Sequence, residues 1–266
     1  MSAAAKPILS ASNLGVAVPG RQLVSDLNVS FERGEFVAVL GCNGAGKTMT
    51  LLTLAGLREA AQGVVALNGV DIDSLSRQVV AQGLALLPQD VSDVFPASVF
   101  DTALTGRHPH IARFSWESAS DKAITRAALQ QMQVDTLAER DILTLSGGER
   151  RRVAIAQLLA QSPEVYLLDE PSNHLDPQHQ LEVLEVFRGK ADAGAAVIAS
   201  LHDVNLAARY ADRCLLLYGD GRWDLGKSQD ILTAERLTAL YGTRMEALPW
   251  QATTLFVATG SGNEAA

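Results

Sequence analysis

Residues 36–48 read FVAVLGCNGAGKT, five apolar residues running into a loop with three glycines that closes on Lys47 and Thr48. An apolar run of this length is a candidate buried strand, and the apolar segment Met49–Leu57 beyond the loop reads as a helix. A strand, a glycine-rich turn and a helix start together make a backbone that can curl its N–H groups around an anion. The spacing matches a phosphate cradle formed by Gly41, Cys42, Asn43, Gly44, Ala45, Gly46, Lys47 and Thr48. In that pattern the Lys47 ammonium reaches the outer phosphates and the Thr48 hydroxyl is offered to Mg²⁺. The competing reading is a glycine-rich turn that merely precedes a helix, and the strand and helix on either side weigh against it.

Working outward, the segment from Ile8 to about Gly69 reads as strands and turns. A strand at Leu84–Leu87 precedes Pro88 and Gln89, and a helical pattern with polar interruptions runs from about Ser98 to Gln133. Helical character returns over Glu149–Ala160. A buried strand follows at Val165–Leu168 and ends on Asp169 and Glu170. Asp176 then offers an N-cap with Pro177 at the first helical position, and Leu181, Leu184 and Phe187 recur at helical spacing. Strands at Ala196–Ser200, leading to His202, and at Cys214–Tyr218 complete an alternation that predicts a largely parallel α/β sheet. Ligands of such sheets lie at the C-terminal ends of the strands, where Gln89, Asp169, Glu170 and His202 all fall.

These positions suggest roles. Asp169 is placed to bind Mg²⁺ directly or through water, and Glu170 to accept a proton from an attacking water. Gln89 is placed to touch both the metal and that water, and His202 to donate to a γ phosphate. Taken alone, a carboxylate pair before Pro171 is more often a solvated turn and a single histidine more often a surface group. The phosphate cradle upstream shifts the balance toward catalysis. Leu145-Ser-Gly-Gly-Glu149 places a hydroxyl and free N–H groups of Ser146, Gly147 and Gly148 at a helix N-terminus, a second anion site or simply a capped helix start.

Composition narrows the partners. Hydrophobic residues make up 47% and charged residues 20% of the 266 residues, enough for a sizeable core. The net charge of -8 supplies no basic face for a phosphate backbone, so no nucleic acid is expected. No apolar run approaches the roughly 18–20 residues of a membrane span, and the N-terminal MSAAAKPILSASN has no secretory pattern, so a cytoplasmic location is expected. Cys42 and Cys214 are the only cysteines, which disfavours zinc or disulfide frameworks.

The phosphate loop, Gln89, LSGGE, the YLLDEP run, Leu175 with Asp176, and His202 follow one another in the order and spacing of ATP-binding cassette (ABC) proteins. The resemblance covers about Ile8 to Leu248. It implies a P-loop NTPase (RecA-like) core with an antiparallel β subdomain and an inserted α-helical subdomain at about 92–150. The ATPase domain is then expected over 1–248, with 249–266, ending in GSGNEAA, as an extension and frayed tail. Two cassettes of this family pair head to tail, so Ser146, Gly147 and Gly148 of one copy would close over ATP and Mg²⁺ held by the other. Asp176 would join the two sites across the interface, and Gln89 would lie near a membrane partner's coupling helix. Thr105-Gly-Arg-His-Pro-His110, the SNHLD segment 172–176 and His202-Asp-Val-Asn-Leu-Ala207 resemble importer subunits for iron-siderophore, haem and cobalamin uptake. That subgroup implies a homodimer on the cytoplasmic face of the membrane, two permease subunits and a periplasmic or extracellular binding protein. The alternatives are an exporter subunit and a soluble regulatory ATPase; the latter usually has paired cassettes or coiled-coil insertions, which this sequence lacks. Two positions depart from the family. Val18 and Pro19 stand where an aromatic ring usually stacks on adenine, and Cys42 stands where proline is frequent, either activated beside Lys47 or buried and inert.

Overall fold

β1 (Leu9–Val18) turns back at Gly20 into β2 (Arg21–Phe31), and the chain then crosses to β3 (Phe36–Leu40). α1 (Lys47–Leu54), β4 (Gln62–Leu67), β5 (Val70–Asp71), α2 (Arg77–Gly83) and β6 (Leu84–Leu87) follow. Next come three helices, α3 (Val99–Leu104), α4 (Ala119–Gln131) and α5 (Gly147–Gln161). β7 (Val165–Asp169), α6 (Pro177–Asp192), β8 (Ala196–Ser200), α7 (Val204–Tyr210) and β9 (Arg213–Leu217) rebuild the α/β alternation. The chain closes with β10 (Trp223–Lys227), α8 (Ser228–Ile231), α9 (Ala234–Tyr241), β11 (Arg244–Trp250) and β12 (Thr253–Gly260). This computed structural model describes residues 6–90, 96–112, 114–173, 175–251 and 253–260. The expected start of the helical insertion at 92–95, His174 of the SNHLD segment and the tail beyond Gly260 lie outside the described residues.

A six-stranded sheet of order β10-β9-β3-β8-β7-β6 forms the centre, parallel throughout except for β10. A four-stranded antiparallel sheet, β2-β1-β4-β5, covers one side. The two-residue period of the strands sends alternate side chains into two different cores. Val37 and Val39 of β3, Leu167 of β7 and Ile198 of β8 face the antiparallel sheet and α1. Phe36, Ala38 and Leu40, with Tyr166, Leu168, Val197 and Ala199, join α5, α6 and α7 on the other face. Strands buried on both faces must be apolar at every position, which is why FVAVL carries no alternation.

Several boundaries differ from the sequence expectation for local reasons. α1 begins at Lys47 because Gly46, at φ 103°, takes the left-handed turn out of the loop, and it ends before Gly56 at φ 64°. β7 runs one residue further and carries Asp169 into register with Ser200. β9 is displaced by one residue, to Arg213–Leu217, because Tyr218 N–H already turns back to the Arg222 carbonyl. The stretch from Ser98 to Gln133 is two helices: Thr105–His110 tightens into a 3₁₀ turn containing Pro109, and α4 restarts at a Ser118/Asp121 capping box.

The expected extension is also corrected. Residue 248 falls inside β11, and β11 pairs with β12 as an antiparallel hairpin through Gly260. Phe256 is buried, and its backbone exchanges two hydrogen bonds with the Asn205 side chain on α7, at 2.8 and 3.2 Å.

Candidate functional site

β3, β8, β7 and β6 are consecutive in the sheet and parallel, so their C-terminal ends form one edge. The loop 41–46 leaves β3, His202 follows β8, Glu170 follows β7 and Gln89 follows β6. Lys47, Thr48, Gln89, Glu170 and His202 accordingly line a single cavity of about 680 Å³. Gly44 and Gly46 line it, and the loop packs tightly behind: a Cβ on Gly41 would meet the Leu217 carbonyl oxygen at 2.5 Å, and one on Gly46 the Leu23 Cβ at 3.0 Å. α1 has no side chain capping its N-terminus, which leaves its first N–H groups to a ligand.

Lys47 is only 5% exposed, and its Nζ donates to the carbonyls of Gly41 (2.9 Å) and Cys42 (3.4 Å). Burial pushes its pKa down, while Glu170, Asp169 and Cys42 push the other way. Cys42 is exposed, and its thiol donates to the Leu240 carbonyl at 3.2 Å, which corrects the picture of a buried loop cysteine.

The acidic pair divides sharply. Asp169 is 2% exposed; its Oδ1 accepts from Ser200 Oγ at 2.6 Å, and its Oδ2 is buried with no hydrogen-bond partner among the described residues. A buried carboxylate oxygen without a donor is costly. A hydrated divalent cation beside Thr48 and Gln89 would satisfy it, so the donor set fits Mg²⁺. Glu170 sits in the left-handed backbone region at φ 49°, and its N–H donates to Ser200 Oγ at 2.9 Å. That backbone turn directs its carboxylate to His202 Nε2 on one oxygen and Asn173 Nδ2 on the other. His202 therefore meets the acid itself before any phosphate.

Ser146, Gly147, Gly148 and Asp176 do not line the cavity. Ser146 caps α5 in a reciprocal box with Glu149: its Oγ donates to Glu149 Oε2 at 2.7 Å and its N–H to the same oxygen at 2.8 Å. These bonds hold the Glu149 carboxyl below its usual range. Asp176 caps α6 and pairs with His179 Nδ1 at 2.8 Å.

Two contributors escape a reading of the sequence. Asn173 lines the cavity and holds the acid. Arg151, 5% exposed, donates to five main-chain carbonyls: Pro88 and Gln89 after β6, and Asp169, Glu170 and Pro171 at the end of β7 and just beyond it. The weak available signal was an arginine in the second turn of a helix, two residues before the core residue Val153.

A glycine loop between β3 and α1, an acid at the end of β7, with β8 lying between β3 and β7, and the parallel order around them define a P-loop NTPase fold. The sequence profile of the ABC transporter family matches residues 24–173, and the chain belongs to that family. It is 39% identical over 239 residues to a cobalamin import ATP-binding protein, BtuD, of Halobacterium salinarum, covering 89% of this chain and 59% of that one. The chain thus spans less than two thirds of that relative's length. It is 40% identical to a hemin import ATP-binding protein, HmuV, of Gloeobacter violaceus, covering 88% of this chain and 87% of that one. Among solved structures, a putative metal-chelate type ABC transporter in an inward-facing conformation superposes with a TM-score of 0.82 at 31% identity, over 94% of this chain and 97% of that one. No helix among the described residues is long and apolar enough to cross a membrane.

Proposed function

We propose that this chain binds and hydrolyses ATP as the motor subunit of an importer for a metal chelate of the haem, cobalamin or iron-siderophore class. Two copies would act together beneath two permease subunits, on the cytoplasmic face of the membrane, with a separate binding protein delivering the cargo. The names of the relatives support import over the exporter and regulatory alternatives. Hydrolysis, rather than binding alone, is supported by one feature: Glu170, a buried carboxylate lining the phosphate-loop cavity, is held on both oxygens by groups that can release it.

In this reading Lys47 leaves the Gly41 and Cys42 carbonyls for the β and γ phosphate oxygens. Thr48, Asp169 and Gln89 would hold Mg²⁺, which would neutralise phosphate charge when bound. Glu170, released from His202, accepts a proton from a water whose oxygen bonds to the γ phosphorus as the bridging P–O bond breaks and ADP departs. His202 is then free to donate to the γ phosphate.

Measuring ATP hydrolysis over a protein concentration series tests the reading. Glu170→Gln should retain nucleotide binding and lose at least about a hundredfold in kcat, the usual loss for a general base. Lys47→Ala should weaken binding itself. A Glu170→Gln variant turning over at the wild-type rate would remove Glu170 as the base.

A further inference from the structure

Each of the five guanidinium N–H groups of Arg151 meets a main-chain carbonyl. Nε donates to Pro171 (3.3 Å), Nη1 to Pro88 (2.6 Å) and Gln89 (3.0 Å), and Nη2 to Asp169 (2.9 Å) and Glu170 (2.8 Å). A guanidinium has five donors, so this one is saturated. The five carbonyls belong to two separate segments, residues 88–89 and 169–171, and Arg151 itself belongs to α5, which opens on Ser146. Three functional pieces therefore share one side chain. Burial lowers its pKa to about 10, while the nearby carboxylates of Asp169, Glu170 and Asp90 favour the charge, so it stays protonated at neutral pH. Side-chain exchange at the accepting residues cannot replace this joint, because every bond ends on the backbone.

We propose that Arg151 is a positioning residue that locks Gln89 and Glu170 to α5, so that a displacement of the Ser146 turn is carried to the catalytic base of the same subunit. The proposal rests on the hydrolase reading above. Ser146 is exposed and outside the cavity of its own chain, whereas Glu170 is inside it. Arg151 is the buried polar connection between them. Lysine has three donors in a different geometry and glutamine two, so neither can span both segments.

The test uses the full chain with Arg151→Lys and Arg151→Gln, each alone and combined with Glu170→Gln. Positioning predicts a loss of about tenfold or more in kcat with KM for ATP within about threefold, because the phosphate loop is untouched. It also predicts that neither Arg151 variant lowers the residual rate of Glu170→Gln further, since Arg151 acts through that carboxylate. Without nucleotide, amide exchange should speed up together around 89–90 and 169–173 and stay unchanged over 41–48. Fully additive kinetic losses, or exchange that rises only within α5, would overturn the proposal. A wild-type chain that hydrolyses no ATP would instead remove the hydrolase reading, and the exchange pattern would then decide on its own whether Arg151 joins the two segments.

Discussion

Val18, Arg21, Leu23 and Met49 line the cavity beside the phosphate loop, and none of them has an aromatic face. The Arg21 guanidinium is held by the Gly219 carbonyl through Nε (3.0 Å) and Nη2 (2.7 Å), so a base placed here would meet aliphatic contacts and the edge of a cation. Supplying a ring should help: Val18→Tyr is expected to tighten ATP by about 1 kcal/mol, roughly fivefold in Kd, the scale of one base-aromatic stack. Titration calorimetry with wild type and variant reads this directly, and equal affinities would mean that the base does not lie against Val18. Ser200 gives a second prediction. Its hydroxyl serves both Asp169 Oδ1 and Glu170 N–H in a fully buried position, so Ser200→Ala strands two groups and should cost about 1–3 kcal/mol. Urea unfolding should show a lower midpoint with an unchanged slope. At this scale the sequence was informative where chemistry is local. Lys47 and Thr48 are fixed by spacing within eight residues, and Glu170 by adjacency to Asp169. Arg151 was opaque because its partners are carbonyls as far as 63 residues away. Within Glu149-Arg-Arg-Arg152, nothing local distinguishes the arginine that turns inward from the two that are half-buried.

The start of α6 at Asp176 and Pro177 was legible, whereas the break before α4 was not. Ser118 and Asp121 form the box that begins α4, and Asp121 also takes Arg107 Nε at 2.9 Å. Arg107 in turn donates to the Ala160 carbonyl at the end of α5, at 2.8 Å. Hydrogen bonds from the Ser118 side chain and then from Arg107 hold the Asp121 carboxyl at about 2, down from 3.8. A depressed carboxyl pKa adds stability that is complete above the ordinary value and is lost as pH falls through the depressed one. The difference in unfolding free energy between wild type and Asp121→Asn should therefore be flat above about pH 5 and shrink steadily toward pH 2. A pH-independent difference would mean that Asp121 acts through shape alone. Thr105–His110 falls inside the single helical stretch expected from Ser98 to Gln133, although its Gly106 and Pro109 both disfavour a helix. Its actual course is set by contacts that spacing does not encode. Gly106 packs so closely on α5 that a Cβ would meet the Gln157 carbonyl oxygen at 2.2 Å. Gly106→Ala should thus destabilise the helical insertion by about 1–3 kcal/mol, as overpacking does, seen as a lower midpoint in thermal melts. The β11–β12 hairpin was missed for a related reason: Thr254 to Thr259 has strand-forming residues, but their value depends on α7 being there to receive Phe256.

Over the whole molecule, the alternation of strands and helices was readable, but the order β10-β9-β3-β8-β7-β6 was not. The five parallel strands β3, β6, β7, β8 and β9 are all short, mostly apolar runs, so nothing in any one of them names its neighbour. That order matters because it brings four strand ends to one edge and leaves the Ser146 turn outside the cavity they form. A single copy therefore presents an open cavity beside the glycine loop and, outside it, an exposed helix start at Ser146 capped only by its own Glu149. Pairing two copies head to tail would resolve both, each Ser146 turn closing over the nucleotide of its partner, and the prediction is quantitative. Specific activity should rise with protein concentration and level off once dimers predominate, because the competent species forms by a second-order encounter. Glu170→Gln with ATP and Mg²⁺ should elute as a dimer on size exclusion, and as a monomer once the nucleotide or the metal is withdrawn. Adding Ser146→Ala to that variant should shift it back toward monomer while leaving the affinity of the isolated chain for ATP within about twofold, since a lost hydrogen bond to a charged group weakens closure by about 1.5–3 kcal/mol but does not touch the phosphate loop. Activity strictly proportional to concentration, with a monomer that hydrolyses ATP at full rate, would show instead that the site is complete within one chain.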